Sequence, residues 1–161
     1  MKTLVIFYSL EGNTRFISEI VAKELQADII ELKTVKSFPS TGIKKFVWGG
    51  KSVVLKERPE LKNKNIDLSD YENIIIGTPI WAGTYAAPFN TFFKQYKFSG
   101  KKVAFFACHA GGGTEKCFKM FKKSLPDNTF VGEIDFIDPL KKDKKENNSK
   151  AINWAKSLTF D

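Results

Sequence analysis

The chain has 161 residues, 42% of them hydrophobic, which suits one domain around one core. Its net charge is +8, and no apolar run approaches the roughly 20 residues of a membrane span. Cys108 and Cys117 are its two cysteines; they make neither a disulfide framework nor a Cys-x-x-Cys motif, so iron–sulfur and zinc ligation are not expected. No charged region, apolar core and cleavage site follow one another at the N-terminus, and the expectation is a cytoplasmic protein with free thiols. On that footing the acceptor pattern Asn147-Asn148-Ser149 is a chance match. The densest charge run, Lys141-Lys142-Asp143-Lys144-Lys145, has no interleaved aromatics, so no nucleic-acid partner is expected.

Thr3 to Phe7 reads as a buried strand, and Phe16, Ile17, Ile20, Val21 and Leu25 fall at helical spacing. The loop between them is Tyr8-Ser9-Leu10-Glu11-Gly12-Asn13-Thr14-Arg15. Such a junction suits an anion: the first helical N–H groups lack intrahelical partners, and the helix dipole favours negative charge there. Ser9, Asn13 and Thr14 add side-chain donors, and Gly12 lets the backbone approach a ligand closely. Asp28 to Leu32 is a plausible second strand.

Residues 33–70 form the least regular segment, with Pro39, Gly42, Gly49, Gly50 and Pro59; Ile43, Phe46, Val47 and Val54 suggest short helical pieces, and Trp48 is expected in the core. A lid beside the site is one use for such a segment. Gly50-Lys51-Ser52 is not a nucleotide loop, because Lys45 stands where the leading glycine is required. Asn73 to Gly77 is a strand covered on both faces, followed by the loop Thr78-Pro79-Ile80-Trp81-Ala82-Gly83-Thr84-Tyr85. Pro88 opens a helix with Phe89, Phe92, Phe93 and Tyr96 on its apolar face. Lys102 to Cys108 is another buried strand, and His109-Ala110-Gly111-Gly112-Gly113-Thr114 leads into a helix with Cys117, Phe118, Phe121 and Leu125 inward. Thr129 to Ile137 is the last strand, and Ser149 is expected to start the final helix, with Ile152, Ala155 and Leu158 facing in.

Strands alternating with helices imply a parallel sheet covered on both faces. Three loops then leave the carboxyl ends of strands, at residues 9–14, 78–85 and 108–114, where ligands of open α/β sheets bind. The first suits phosphate, the second offers an indole, and the third offers backbone amides on glycines.

With those loops the chain resembles the flavodoxin family. The resemblance implies an α/β, doubly wound, open parallel sheet of about five strands in the known flavodoxin order 2-1-3-4-5, as one domain over residues 1–161. Ser9-Leu10-Glu11-Gly12-Asn13-Thr14 looks like the loop that holds the phosphate of flavin mononucleotide (FMN), departing at Glu11, where a hydroxyl residue is usual. A carboxylate cannot point at a phosphate, so Glu11 is expected to face solvent, toward Arg15. Thr78-Pro79-Ile80-Trp81-Ala82-Gly83 resembles the loop that stacks an aromatic ring on the flavin, and Ala82 or Gly83 would supply the peptide that bonds the flavin nitrogen protonated on reduction. Cys108-His109-Ala110-Gly111-Gly112-Gly113 lacks the second aromatic of the electron carriers and is nearer to the glycine-rich loop of FMN-dependent quinone reductases. His109, the only histidine, would be a donor at the flavin's pyrimidine edge.

The resemblance implies an FMN protein in electron transfer, with no catalytic residue of its own and redox partner proteins that the basic charge suggests are acidic. The alternative is an FMN-dependent oxidoreductase taking NAD(P)H and a quinone-like acceptor. A phosphorelay receiver is not supported, since the first strand ends in Tyr8-Ser9 and the third in Gly77-Thr78, without the aspartates that bind magnesium.

Overall fold

A computed structural model describes residues 1–39, 44, 47, 48, 51 and 56–160. The strands are β1 (Thr3–Phe7), β2 (Asp28–Glu31), β3 (Asn73–Trp81), β4 (Thr84–Tyr85), β5 (Lys102–His109) and β6 (Thr129–Ile137). The helices are α1 (Asn13–Glu24), α2 (Pro88–Gln95), α3 (Thr114–Ser124) and α4 (Lys144–Ser157), and the described residues Lys44, Val47, Trp48 and Lys51 are helical as well. The sheet order is β2-β1-β3-β5-β6, with β4 hanging antiparallel from β3. Setting the two-residue β4 aside, this is the expected order 2-1-3-4-5.

Side-chain alternation along the central strands divides the core. Leu4, Ile6, Ile74, Ile76, Phe105 and Ala107 point to the face covered by α2 and α3, where they meet Phe89, Phe92, Cys117 and Phe121. Val5, Ile75, Ala104 and Phe106 point to the face covered by α1 and α4, where they meet Ile17, Val21, Ala151 and Trp154. Phe105 and Phe121 lie parallel with centroids 4.7 Å apart, and both are fully buried. Each such ring stabilises the fold by roughly 1.5–3 kcal/mol through apolar burial.

The structure differs from the sequence reading in several places. β3 runs through Thr78 and Pro79 to Trp81, so Trp81 ends a strand instead of sitting in a loop. Ala82 (φ 47°) and Gly83 (φ 78°) then turn the chain back into β4, with Trp81 paired to Thr84 and Ile80 to Tyr85. Positive φ at both turn residues makes the hairpin follow the sheet's twist. Helix α4 starts at Lys144, not Ser149; the Asn147 N–H donates to the Asp143 carbonyl and closes its first turn within the lysine-rich run. Trp154 takes an inner position on it, and Ile152 is only partly buried.

Trp48 is 44% exposed, with the Lys51 ammonium 5.2 Å above its ring, so it is not a core residue. Of the helical face expected from Ile43, Phe46, Val47 and Val54, only Val47 is among the described residues; it is helical, as expected, but exposed. The flanks of that segment are tied down. Thr34 and Leu61 form an antiparallel bridge, Asn63 bonds both the Lys33 N–H and the Glu31 carbonyl, and Thr91 Oγ1 donates to the Pro59 carbonyl at 2.6 Å. No described helix is long and apolar enough to cross a membrane.

Candidate functional site

A cavity of about 350 Å³ opens at the carboxyl ends of β1, β3 and β5. That volume is in the range of small-molecule sites. Its walls are Ser9, Leu10, Glu11, Asn13 and Thr14 from the first loop, Pro79 to Ala82 from the second, and Cys108, His109 and Ala110 from the third. A fourth segment contributes Asp138 and Lys141.

The first wall is built for an anion. Gly12 is the N-cap of α1 at φ 95°, and a Cβ there would come within 3.2 Å of Leu140 Cδ1. Glycine therefore answers both the left-handed backbone and the close neighbour. Ser9 Oγ accepts the Gly12 N–H at 3.1 Å and the Arg15 N–H at 3.2 Å, so the hydroxyl takes up two amides of the terminus and fixes the shape of the loop. Asn13 Oδ1 accepts the Leu140 N–H at 3.0 Å, which leaves the Asn13 NH₂ group for a ligand. Glu11 is exposed, as expected, but Arg15 pairs with Glu31. The guanidinium therefore braces α1 against β2.

The second wall is aromatic. Trp81 meets Tyr8 edge-on at 5.6 Å and Phe38 at 5.1 Å, and it is 9% exposed. The ring is thus mostly core and borders the cavity with its remaining surface. Burial pushes the Tyr8 phenol pKa up, with the Glu31 charge adding to the effect, so Tyr8 stays neutral. Thr78 lines none of the cavity. It is fully buried, its Oγ1 accepting the Ala86 N–H and donating to the Pro79 carbonyl, which ties β3 to the chain beyond β4.

The third wall turns on His109. Its Nδ1 accepts the Gly112 N–H at 2.7 Å, and an amide can only donate, so the neutral ring carries its proton on Nε2. That Nε2–H donates to Asp135 Oδ2 at 2.8 Å, with the Thr114 hydroxyl 3.4 Å away. Both ring nitrogens are taken up by the protein, and the ring orders the glycine loop where a donor to the flavin edge was expected. Gly111, Gly112 and Gly113 do not line the cavity; they are exposed behind Ala110. Gly113 does touch the second loop, since a Cβ on it would lie 2.9 Å from Gly83 Cα. Gly83 too lies outside the cavity lining, beneath the stem of Lys116.

Cys108 borders the cavity with its thiol sealed in; burial pushes its pKa up to about 12, and does the same to Cys117. Among the described residues no cluster of His, Cys, Asp and Glu could hold a metal.

A family model described as flavodoxin matches residues 2–150. The chain belongs to the flavodoxin family. A solved flavoprotein from Lactobacillus acidophilus NCFM, described as in complex with FMN, is 27% identical; the match covers 89% of this chain and 97% of that one, with a TM-score of 0.72. The apo form of the flavoprotein from that organism, solved by NMR, is 25% identical over 88% of this chain and 95% of that one, with a TM-score of 0.63. Oxidised flavodoxin 2 from Bacillus cereus shares the fold at 19% identity, 98% and 97% coverage and a TM-score of 0.59. No match was found among curated proteins.

As a flavodoxin-family site the cavity fits the cofactor. The N-terminus of α1, with Ser9, Asn13 and Thr14 in the lining, meets the needs of a phosphate, and Leu10, Ile80 and Trp81 offer a flat ring apolar contact. The structure brings together, of the residues expected from the sequence, Ser9, Leu10, Glu11, Asn13, Thr14, Pro79, Ile80, Trp81, Ala82, Cys108, His109 and Ala110. Asp138 and Lys141 were missed. They carry no motif, and the one signal was that they follow the last strand, whose carboxyl end lies beside that of β5.

Proposed function

We propose that this protein binds FMN in the cavity at the carboxyl ends of β1, β3 and β5 and serves in electron transfer. One observation carries the reading: the first turn of α1 and a tryptophan wall border the same cavity. Family membership and the FMN-bound Lactobacillus relative support it. Bound FMN would supply the chemistry, taking up and giving up electrons. The chain's own residues would hold and shield it. The α1 terminus with Ser9, Asn13 and Thr14 grips the phosphate, Trp81 backs the ring, and the Ala82–Gly83 turn sets backbone amides beside it. No side chain acts as acid or base.

The +8 net charge favours acidic redox partners, and a cytoplasmic setting fits two buried free thiols. A second reading, an oxidoreductase using NAD(P)H and a quinone-like acceptor, is favoured by the loop from Ala110 to Gly113, which is exposed and carries no aromatic side chain to cover the outer flavin face. The test is the visible spectrum of the purified protein, before and after addition of FMN, followed by NADPH oxidation with a quinone. Flavin bands with negligible turnover support the carrier, and rapid turnover supports the enzyme. Protein that is colourless and refuses FMN overturns both.

A further inference from the structure

We propose that Lys141 adds a charge-based preference for a phosphorylated flavin over an unphosphorylated one to the grip of the α1 terminus. The inference rests on the FMN reading above. β6 ends at Ile137, and the chain then folds back over the phosphate loop. The Asp138 N–H donates to the His109 carbonyl at 2.9 Å, and the Asp138 carbonyl accepts the N–H groups of Lys141 and Lys142. Leu140, between them, donates its N–H to Asn13 Oδ1 and lies against Gly12, the N-cap of α1. Lys141 is therefore one residue along from a double contact with the helix terminus, and it lines the cavity.

Charge gives this position its meaning. The phosphate loop supplies neutral donors, and its one charged side chain in the cavity wall, Glu11, has the wrong sign for a dianion. Asp138 in the same wall is answered by Lys142, 3.7 Å away. Lys141 is the only lysine or arginine among the described lining residues. An ammonium there acts on the phosphate alone, because the uncharged flavin ring gives it nothing comparable to attract.

The test is titration of FMN and of riboflavin into cofactor-free wild type, Lys141→Met and Lys141→Arg, at about 20 mM and about 300 mM salt. Lys141→Met should bind FMN about tenfold more weakly at low salt, or ~1.4 kcal/mol. It should bind riboflavin within about twofold of wild type, which also shows that the cavity is intact, and the salt dependence of FMN binding should shrink. Lys141→Arg should retain FMN affinity. Equal losses for both flavins, or no loss for either, overturn the inference and leave the FMN reading standing. Wild type that binds neither flavin overturns both.

Discussion

Replacing His109 with leucine should weaken FMN binding by about 30-fold and leave the fold intact. The imidazole makes two bonds, from the Gly112 N–H to Nδ1 and from Nε2 to Asp135. A net hydrogen bond of the first kind contributes about 1 kcal/mol. The second involves a carboxylate, but the Asp135 side chain is 40% exposed, and solvent reduces its contribution to about 1 kcal/mol as well. Together they make about 2 kcal/mol, or about 30-fold in affinity if all of it goes to ordering the loop. Two further variants separate the bonds. His109→Asn places an acceptor near the Nδ1 position and should keep the Gly112 contact, whereas His109→Gln should keep Asp135; each should lose about fivefold. FMN affinity follows from quenching of flavin fluorescence, and hydrogen exchange of the Gly112 amide reports the loop directly. If His109→Leu binds FMN as wild type does, or if the Gly112 amide exchanges no faster, the ring does not order this loop.

Gly113→Ala should lower both melting temperature and FMN affinity: its Cβ would sit 2.9 Å from Gly83 Cα at a backbone φ of 88°. Left-handed strain and overlap together cost about 2–4 kcal/mol, whereas Gly111→Ala, with nothing within 4 Å, should melt like wild type. Both thiols have pKa values pushed up to about 12, so at pH 8 only about 1 in 10⁴ is thiolate. Ellman's reagent should therefore label neither cysteine until the protein is unfolded in urea. Hydrogen bonds from the Tyr71 hydroxyl and then from Lys2 hold the Asp28 carboxyl below the usual carboxylate range. The stability it contributes is present above about pH 4 and is lost as pH falls through the lowered value. Thermal melts of Asp28→Asn should show a shallower acid-side decline than wild type, and identical slopes would refute the link.

The bounds of β1 and β6 were readable in this chain. β1 is a continuous apolar run flanked by polar residues, which allows few other solutions, and the three apolar runs in β1, β3 and β5, followed by polar or glycine-rich loops, place a site at their common rim. The Ala82–Gly83 hairpin was hidden. Its first turn residue is alanine, not the asparagine or aspartate that usually announces such a turn, and a proline within β3 argued against strand there. Trp81 borders the cavity, but its burial depends on Tyr8 and on Phe38, a residue from the irregular segment with no periodic signal. The roles of His109 and Lys141 depend on partners distant in sequence: His109 faces Asp135, and Leu140 beside Lys141 reaches Asn13. Helix α4 began early because a charged run can close a helical turn through its backbone without any apolar rhythm.

Between β5 and β6 the ladder skips a residue: Val103 faces Phe130, and Ala104 faces Gly132, leaving Val131 without an opposite number. Side chains alternate along a strand, so this one-residue offset decides which side of the sheet everything downstream in β6 occupies. It brings Gly132 under Leu158, where a Cβ would come within 2.5 Å of Leu158 Cδ2, and it sets Asp135 opposite Ala107, on the His109 side. Were the ladder regular beyond Val103 and Phe130, with Val131 opposite Ala104, Ile134 would stand opposite Ala107 and Asp135 opposite Cys108, in the apolar layer beneath α4. The carboxylate that holds the His109 ring is thus placed by an irregularity at the far end of the same strand.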